Sequence, residues 1–452
     1  MTAAVGSTPV TFLGRAERDL RDDRLRAAVR NATNLMAGSR LNALAGLEDP
    51  EGLRDAARTL RAGVMAELPE LLDEWSTRFE AHGGHVHWAA DAAEATATVR
   101  DLVRAQQART VAKGKSMASE EIHLNDVLEA DGVEVVETDL GEFIIQLAGE
   151  TPSHIIAPAI HHDRYTVADL FAADGGHPVE ADIGAEAAYA QVRLRESFLS
   201  AGVGVSGVNF AVADTGSICL IENEGNGRMC TSVPKVHIAI MGMERMVRDW
   251  SELDVMLGLL ARSASGQALS VYTNIITGPR RPGDVDGPDE VHVVVIDNGR
   301  SRILGSAFQE ALHCIRCGAC LNACPVYRQV GGHAYGSVYA GPIGAVLTPL
   351  LHQEDPAARE LAEASTLCGA CWEVCPVRIP LHDLLLQLRQ RDAGTDAGRA
   401  RRLGFTGWSW LWSTRAGFSA STQLGRLGRR LARGRTRLPG WAGKWAEGRE
   451  LP

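Results

Sequence analysis

Seven cysteines in two short runs constrain this chain more than any other feature. The first run, CIRCGACLNACP, spaces Cys314, Cys317, Cys320 and Cys324 by three, three and four residues, with Pro325 directly after. The second, LCGACWEVCP, supplies Cys368, Cys371, Cys375 and Pro376. Thiols packed this tightly rarely reach disulfide geometry with their neighbours, but they can converge on iron. C-x2-C-x2-C-x3-C-P is the ligand pattern of two-cluster bacterial ferredoxins, in which the fourth cysteine serves the other cluster. Crossed ligation assigns Cys314, Cys317, Cys320 and Cys375 to one iron–sulfur cluster, and Cys324, Cys368 and Cys371 to a second. Both are expected to be 4Fe-4S. The second is one thiolate short, because Ser365 stands three residues before Cys368. A zinc site also uses clustered thiolates, but seven cysteines in this order with both trailing prolines argue against it.

At 452 residues the chain exceeds one ordinary core, so two or three domains are expected. Lys plus Arg number 46 against 56 Asp plus Glu, a net charge of −10, which argues against general nucleic-acid binding. The sign reverses from Arg389 onward, where 14 basic residues face 4 acidic ones. No apolar run reaches the roughly 18 residues of a transmembrane helix. The start, MTAAVGSTPVTFLGRAERDLRDDRLR, carries charges where a signal peptide needs an apolar stretch. A cytoplasmic protein, at most peripheral to a membrane, is expected, and its reducing surroundings keep thiolates available for iron. The remaining cysteines, Cys219 and Cys230, read as buried small hydrophobes.

Apolar positions at three- and four-residue steps predict helices over residues 1–80. The basic residues around Arg40 read as a solvated helix face rather than an anion site. From residue 81 to 300, short apolar runs (HVHWA, VEVVETD, HIIAPA, VHIAIMG, VHVVVID) alternate with amphipathic helices, the pattern of a mainly parallel α/β sheet. NFAVADTGSICLIENEG predicts a hairpin added to that sheet. Gly202, Gly204 and Gly207 spell G-x-G-x-x-G, but helix precedes strand here, the reverse of a dinucleotide fingerprint. A loop in which backbone turns or approaches closely is expected instead.

Two stretches could line a small-molecule pocket. KGKSMASEE sets Lys113, Lys115 and Ser116 before a helix start, which favours anions. Asp214, Glu222, Asn223 and Asn226 gather around the hairpin. His161 and His162 form a weaker candidate. Residues 301–388 hold the cysteine runs, with a turn expected at Gly341, Pro342 and Gly344. Residues 389–452 are basic and tryptophan-rich. The alternation of Trp408, Trp410 and Trp412 predicts an extended docking segment, and Trp441 and Trp445 add to an interface or membrane-facing character.

With KGKSMASEEIHLN, APAIHHDRY, VADTGSICLIENEGNGR, YGSVYAGPIGAVLTP and both cysteine runs in view, the chain resembles the lactate utilisation protein B family over most of residues 80–390. The resemblance implies an α/β domain similar to sugar-phosphate isomerases and CoA-transferases, followed by an α-helical two-cluster ferredoxin domain. It implies electron transfer in oxidation of L-lactate to pyruvate, with the cluster ligands as assigned above. It also implies two companion lactate-utilisation proteins, one bearing cysteine-rich repeats and one a lone lactate-utilisation domain. The alternative is that the α/β domain itself oxidises a hydroxy acid near Lys115 and the Asp214–Asn226 stretch.

Overall fold

The computed structural model describes residues 11–392 and 396–432, so Trp441 and Trp445 lie outside the described residues. Helices open the chain: α1 (Phe12–Asp19), α2 (Asp23–Ala45), α3 (Pro50–Ala66) and α4 (Leu68–Ala81). Each break has a local cause. Asp22 and Asp49 accept the N–H of Leu25 and of Gly52 and start α2 and α3, as short polar side chains do at helix N-termini. Pro69 lies in the first turn of α4, where its missing N–H costs nothing.

The strands are β1 (His85–Ala89), β2 (Thr110–Lys113), β3 (Glu134–Glu137), β4 (Val203–Gly207), β5 (Phe210–Val212), β6 (Ser217–Glu222), β7 (Val236–Gly242), β8 (Met246–Val247), β9 (Tyr272–Ile276) and β10 (Glu290–Ile296). Six of them form a parallel sheet in the order β1-β10-β7-β4-β2-β3, which is the expected α/β class. β7 and β10 are buried along almost their whole length, so their apolar runs are those of strands covered on both faces. The chain steps outward from β2 to β3 and then returns to the other side of β2 with β4. This topological switch opens a crevice beyond the carboxyl ends of β2 and β4.

Three sequence expectations change here. The hairpin forms, with Phe210 opposite Cys219 and Val212 opposite Ser217, but it belongs to a second sheet, β8-β5-β6-β9. That sheet packs on α4, where the buried Trp75 donates from Nε1 to the Ser217 carbonyl at 3.2 Å and stacks on Phe79 at 5.3 Å. Each such ring stabilises the fold by roughly 2–3 kcal/mol. HIIAPA is a loop, because His154 Nδ1 takes the N–H of Ile156 and of Ala157 and Pro158 has none to offer a ladder. The G-x-G-x-x-G glycines run into and along β4 instead of forming a loop. Close approach is nonetheless their use: a Cβ on Gly204 would fall 1.8 Å from the Cys230 carbonyl oxygen.

Cys219 and Cys230 are fully buried. After β10 the chain becomes short helices, including Ala319–Ala323, Tyr327–Val330, Gly341–Leu351, Ala370–Val374 and Leu381–Asp392. Gly341 supplies a turn at φ +69° and Pro342 falls in the first helical turn. Val29, Trp75, Ile218, Val293, Leu321, Val346 and Leu385 share one hydrophobic core, so N-terminal helices, sheets and cysteine loops make one compact unit through Leu388.

Residues from Arg389 onward form a second unit containing helices Asp396–Trp412 and Arg415–Ala432. The predicted extended segment is therefore helical. Trp408 and Trp412, four residues apart, pair on one helix face at 5.1 Å, and Phe418 meets Trp412 edge-on at 5.1 Å. Period-two spacing of three tryptophans concealed an i, i+4 pair. No described helix is long and apolar enough to cross a membrane.

Candidate metal centre

The two cysteine runs fold against each other. Cys314, Cys317 and Cys320 of the first and Cys375 of the second line one small void, closed by Ile155, Ile315, Ile343 and Val377. Burial pushes the thiols of Cys317 and Cys320 up, and neighbouring cysteines push them further: Cys375 and Cys314 act on Cys317, and Cys314 and Cys317 on Cys320. Cys375 is pushed up to about 11, by burial first and by Cys314 next among the groups that raise it. Cys324, Cys368 and Cys371 form the other group. Cys371 is pushed up to about 12 by burial and then by Cys324 and Cys368. Buried thiols that repel one another's charge become stable thiolates only around a cation, which iron supplies. The donors fit iron–sulfur clusters in both kind and grouping.

Backbone N–H groups point at the sulfurs: Arg316 at Cys314 (3.4 Å), Ile379 at Cys375 (3.3 Å) and Tyr327 at Cys324 (3.5 Å). Such bonds tune the potential of a bound cluster. Arginines from the N-terminal helices hold the loops from behind. Arg54 of α3 donates to the carbonyls of Glu373 (2.6 Å) and Cys375 (2.9 Å), and Arg40 of α2 to that of Val374 (3.0 Å). Arg40 is only 8% exposed, so the expected solvated face is instead a contact with the second cysteine run. The carbonyls at the end of helix Ala370–Val374 attract cations because their intrahelical partners have run out.

A cavity of about 280 Å³ opens in the crevice at the carboxyl ends of β2, β4 and β7. Lys115, Ser116, Glu222, Asn223 and Asn226 line it together, with Arg245, Arg316 and Tyr339 on the wall it shares with the first cysteine run. Arg245 Nη1 donates to the Cys314 carbonyl at 3.4 Å. Lys115 Nζ and the Nε and Nη1 of Arg316 are buried without a hydrogen-bond partner among the described residues. Several predicted residues are otherwise engaged. Ser116 caps the following helix through the N–H of Ser119. Glu222 accepts the N–H of Gly227 (2.6 Å) and of Arg228 (2.7 Å), and Asn223 bonds Gln267 and Val271.

Two predicted residues do not reach the cavity. Lys113 is fully buried between Glu137 (2.5 Å) and Glu120 (2.7 Å). Burial would lower its pKa, but the two carboxylates outweigh it and raise it. Asp214 sits exposed in the β5–β6 turn, a strand's length of roughly 17 Å from Glu222.

Residues 310–379 match the 4Fe-4S dicluster domain and residues 72–296 the LUD domain. Lactate utilization protein B of Shouchella clausii is 48% identical over 402 residues, covering 87% of this chain and 84% of that protein. The protein of that name from Macrococcus caseolyticus is 49% identical over 381 residues, with 84% and 80% covered. This chain belongs to the lactate utilization protein B family. It therefore carries an iron–sulfur dicluster domain. The crystal structure of a duf162 family protein from Deinococcus radiodurans covers 51% of this chain and 98% of its own, at 15% identity and a TM-score of 0.29, too loose a match to carry an argument.

This lactate utilization protein B family member also holds a buried charge network that sequence reading misses. Arg300 pairs with Glu121 (2.7 Å) and Glu244 (2.7 Å), Tyr339 donates to Glu121 at 2.6 Å, and Arg316 reaches Glu244 at 3.4 Å while lying over the Tyr339 ring. The network binds the sheet's carboxyl edge to the first cysteine loop. Its members are scattered over more than 200 positions, and although Glu121, Arg316 and Tyr339 fall within stretches noted in the sequence, nothing in those stretches pairs them with one another or with Glu244 and Arg300. His161 and His162 meet Glu150 Oε2 at 2.7 and 3.1 Å, and the three could hold a metal ion. Burial pushes His161 down to about 4 despite its bond with Glu150.

Proposed function

We propose that this chain is the iron–sulfur electron-transfer subunit in oxidation of L-lactate to pyruvate. The supporting observation is the void lined by Cys314, Cys317, Cys320 and Cys375, drawn from both runs, in a chain whose relatives are named for lactate utilization. Cys324, Cys368 and Cys371 hold the second 4Fe-4S cluster. Lactate oxidation releases two electrons and each cubane takes one, so two adjacent clusters suit a relay. The chain works in the cytoplasm with two companion lactate-utilisation proteins and passes electrons to an external acceptor. The test is anaerobic protein followed by electron paramagnetic resonance: lactate plus the companions should reduce both clusters. Iron and sulfide present but never reduced under those conditions would end the proposal.

A second reading has its own observation. Lys115 and Arg316 offer unpaired cationic nitrogens at a cavity walled by the first cysteine loop. On this reading the α/β domain binds the hydroxy acid itself, its carboxylate on those cations. Lactate-dependent dye reduction by the isolated chain, lost about tenfold or more in Lys115→Met, would support it. Reduction only with the companions, unchanged in that variant, would leave the relay alone.

A further inference from the structure

The two cysteine loops are copies of one backbone design, 51 residues apart. Cys368, Cys371 and Cys375 follow Cys317, Cys320 and Cys324 at that offset. The residue ahead of the leading shared cysteine is left-handed in both, φ +60° at Arg316 and +55° at Leu367. The residue after it is a left-handed glycine in both, Gly318 at +76° and Gly369 at +83°. A five-residue helix then begins, Ala319–Ala323 in one loop and Ala370–Val374 in the other. Left-handed φ is uncommon for arginine or leucine and persists only where the surroundings impose it. Its recurrence at one point shows that both loops serve the same geometry.

The correspondence extends to the position where the cysteines stop matching. In the first loop the N–H of left-handed Arg316 donates to Cys314 Sγ at 3.4 Å. In the second the N–H of left-handed Leu367 donates to Ser365 Oγ at 3.1 Å. Ser365 oxygen is therefore held, within its loop, by the same bond that holds the Cys314 sulfur.

We propose that Ser365 Oγ is the fourth ligand of the second cluster, completing Cys324, Cys368 and Cys371. The inference rests on the assignment of those three cysteines to one cluster. Ligation forms one Fe–O bond and releases the hydroxyl proton, with no change in oxidation state. A cation that acidifies bound water does the same for a bound alcohol. Oxygen is a harder donor than sulfur, so it favours the ferric state and lowers that cluster's potential relative to a fully thiolate-bound one.

The test uses full-length, anaerobically purified wild type, Ser365→Ala and Ser365→Cys. Iron and sulfide counts come first: a single cluster per chain would break the two-cluster assignment itself. With two present, ferricyanide titration followed by electron paramagnetic resonance should convert one cluster of Ser365→Ala to the three-iron form at several-fold less oxidant than wild type. Ser365→Cys should resist like wild type and raise one of the two potentials. Electron–nuclear double resonance of reduced protein in D2O should show a strongly coupled exchangeable deuteron in Ser365→Ala, from water on the open iron, and none in wild type. Equal three-iron yields in wild type and Ser365→Ala, or that deuteron already present in wild type, would overturn the proposal. Should Ser365→Ala fail to fold, the wild-type deuteron measurement decides alone.

Discussion

Glu244 is fully buried and faces Arg300, Arg245 and Arg316. Burial alone would raise its carboxyl, but the three guanidiniums hold it down at about 2. Glu244→Gln should destabilise the protein by about 3–5 kcal/mol, the cost of leaving buried cations unpaired, read from urea unfolding midpoints. A depressed carboxyl stabilises fully above its unfolded value near 4.3 and loses that contribution as pH falls toward 2. His154 and His237, both buried and held down at about 3 by desolvation, begin to weaken the fold earlier, once pH drops below the ordinary value near 6.5. Unfolding midpoints should therefore decline from about pH 6 downward and steepen below about pH 4. Cys368 is the exposed thiol of the seven, lowered by the Thr366 hydroxyl and the Ala370 N–H. After iron removal it should be alkylated first by iodoacetamide, with the buried cysteines following slowly, as peptide mass spectrometry would show. The cysteines were legible because metal ligation demands a fixed residue type at fixed spacing. Arg40 was not, since a cation bonding a carbonyl on a distant loop looks, in sequence, like any surface charge.

Among the elements, strands written as short apolar or β-branched runs were the readable ones: β1, β3, β7 and β10 fall where HVHWA, VEVVETD, VHIAIMG and VHVVVID predict, at the sheet's edges as well as at its buried centre. β4 escaped notice because VGVSG carries glycines that sequence reasoning assigns to turns. Its glycines serve packing, and Gly204→Ala tests this. The new Cβ would meet backbone at Cys230, which cannot swing aside like a side chain, so β4 must shift. A loss of about 1–3 kcal/mol is expected, seen as a lowered melting temperature. HIIAPA misled for the opposite reason, being apolar for the sake of a wall: Ile155 lines both the thiol void and the larger cavity. The hairpin's sheet was also illegible, since local pairing says nothing about which sheet a hairpin joins.

For the compact unit through Leu388, sequence gave its parts but not how they share a core. The helices α2 and α3 look like independent packing material, yet Arg40 and Arg54 seat them on the carbonyls of the second cysteine run. Arg40 lies close enough to Cys317 and Cys375 to act on both, so removing residues 1–45, which takes Arg40 and leaves Arg54, should expose the Cys314–Cys317–Cys320–Cys375 cluster first. Bleaching of the visible absorbance in air should accelerate several-fold in the truncated protein, with about half of the iron lost early. An equal rate for both clusters, unchanged from full length, would show that the helices do not shield them.

The bond between Arg54 and the Cys375 carbonyl joins residues 321 positions apart. At about 5–20 residues per second, the ribosome finishes α3 roughly 15–60 seconds before its partner exists. Throughout that interval the guanidiniums of Arg40 and Arg54 lack the carbonyls they bond in the finished fold, so the seating of the second cysteine run on α2 and α3 is a step that can come only after almost the whole compact unit has been synthesised.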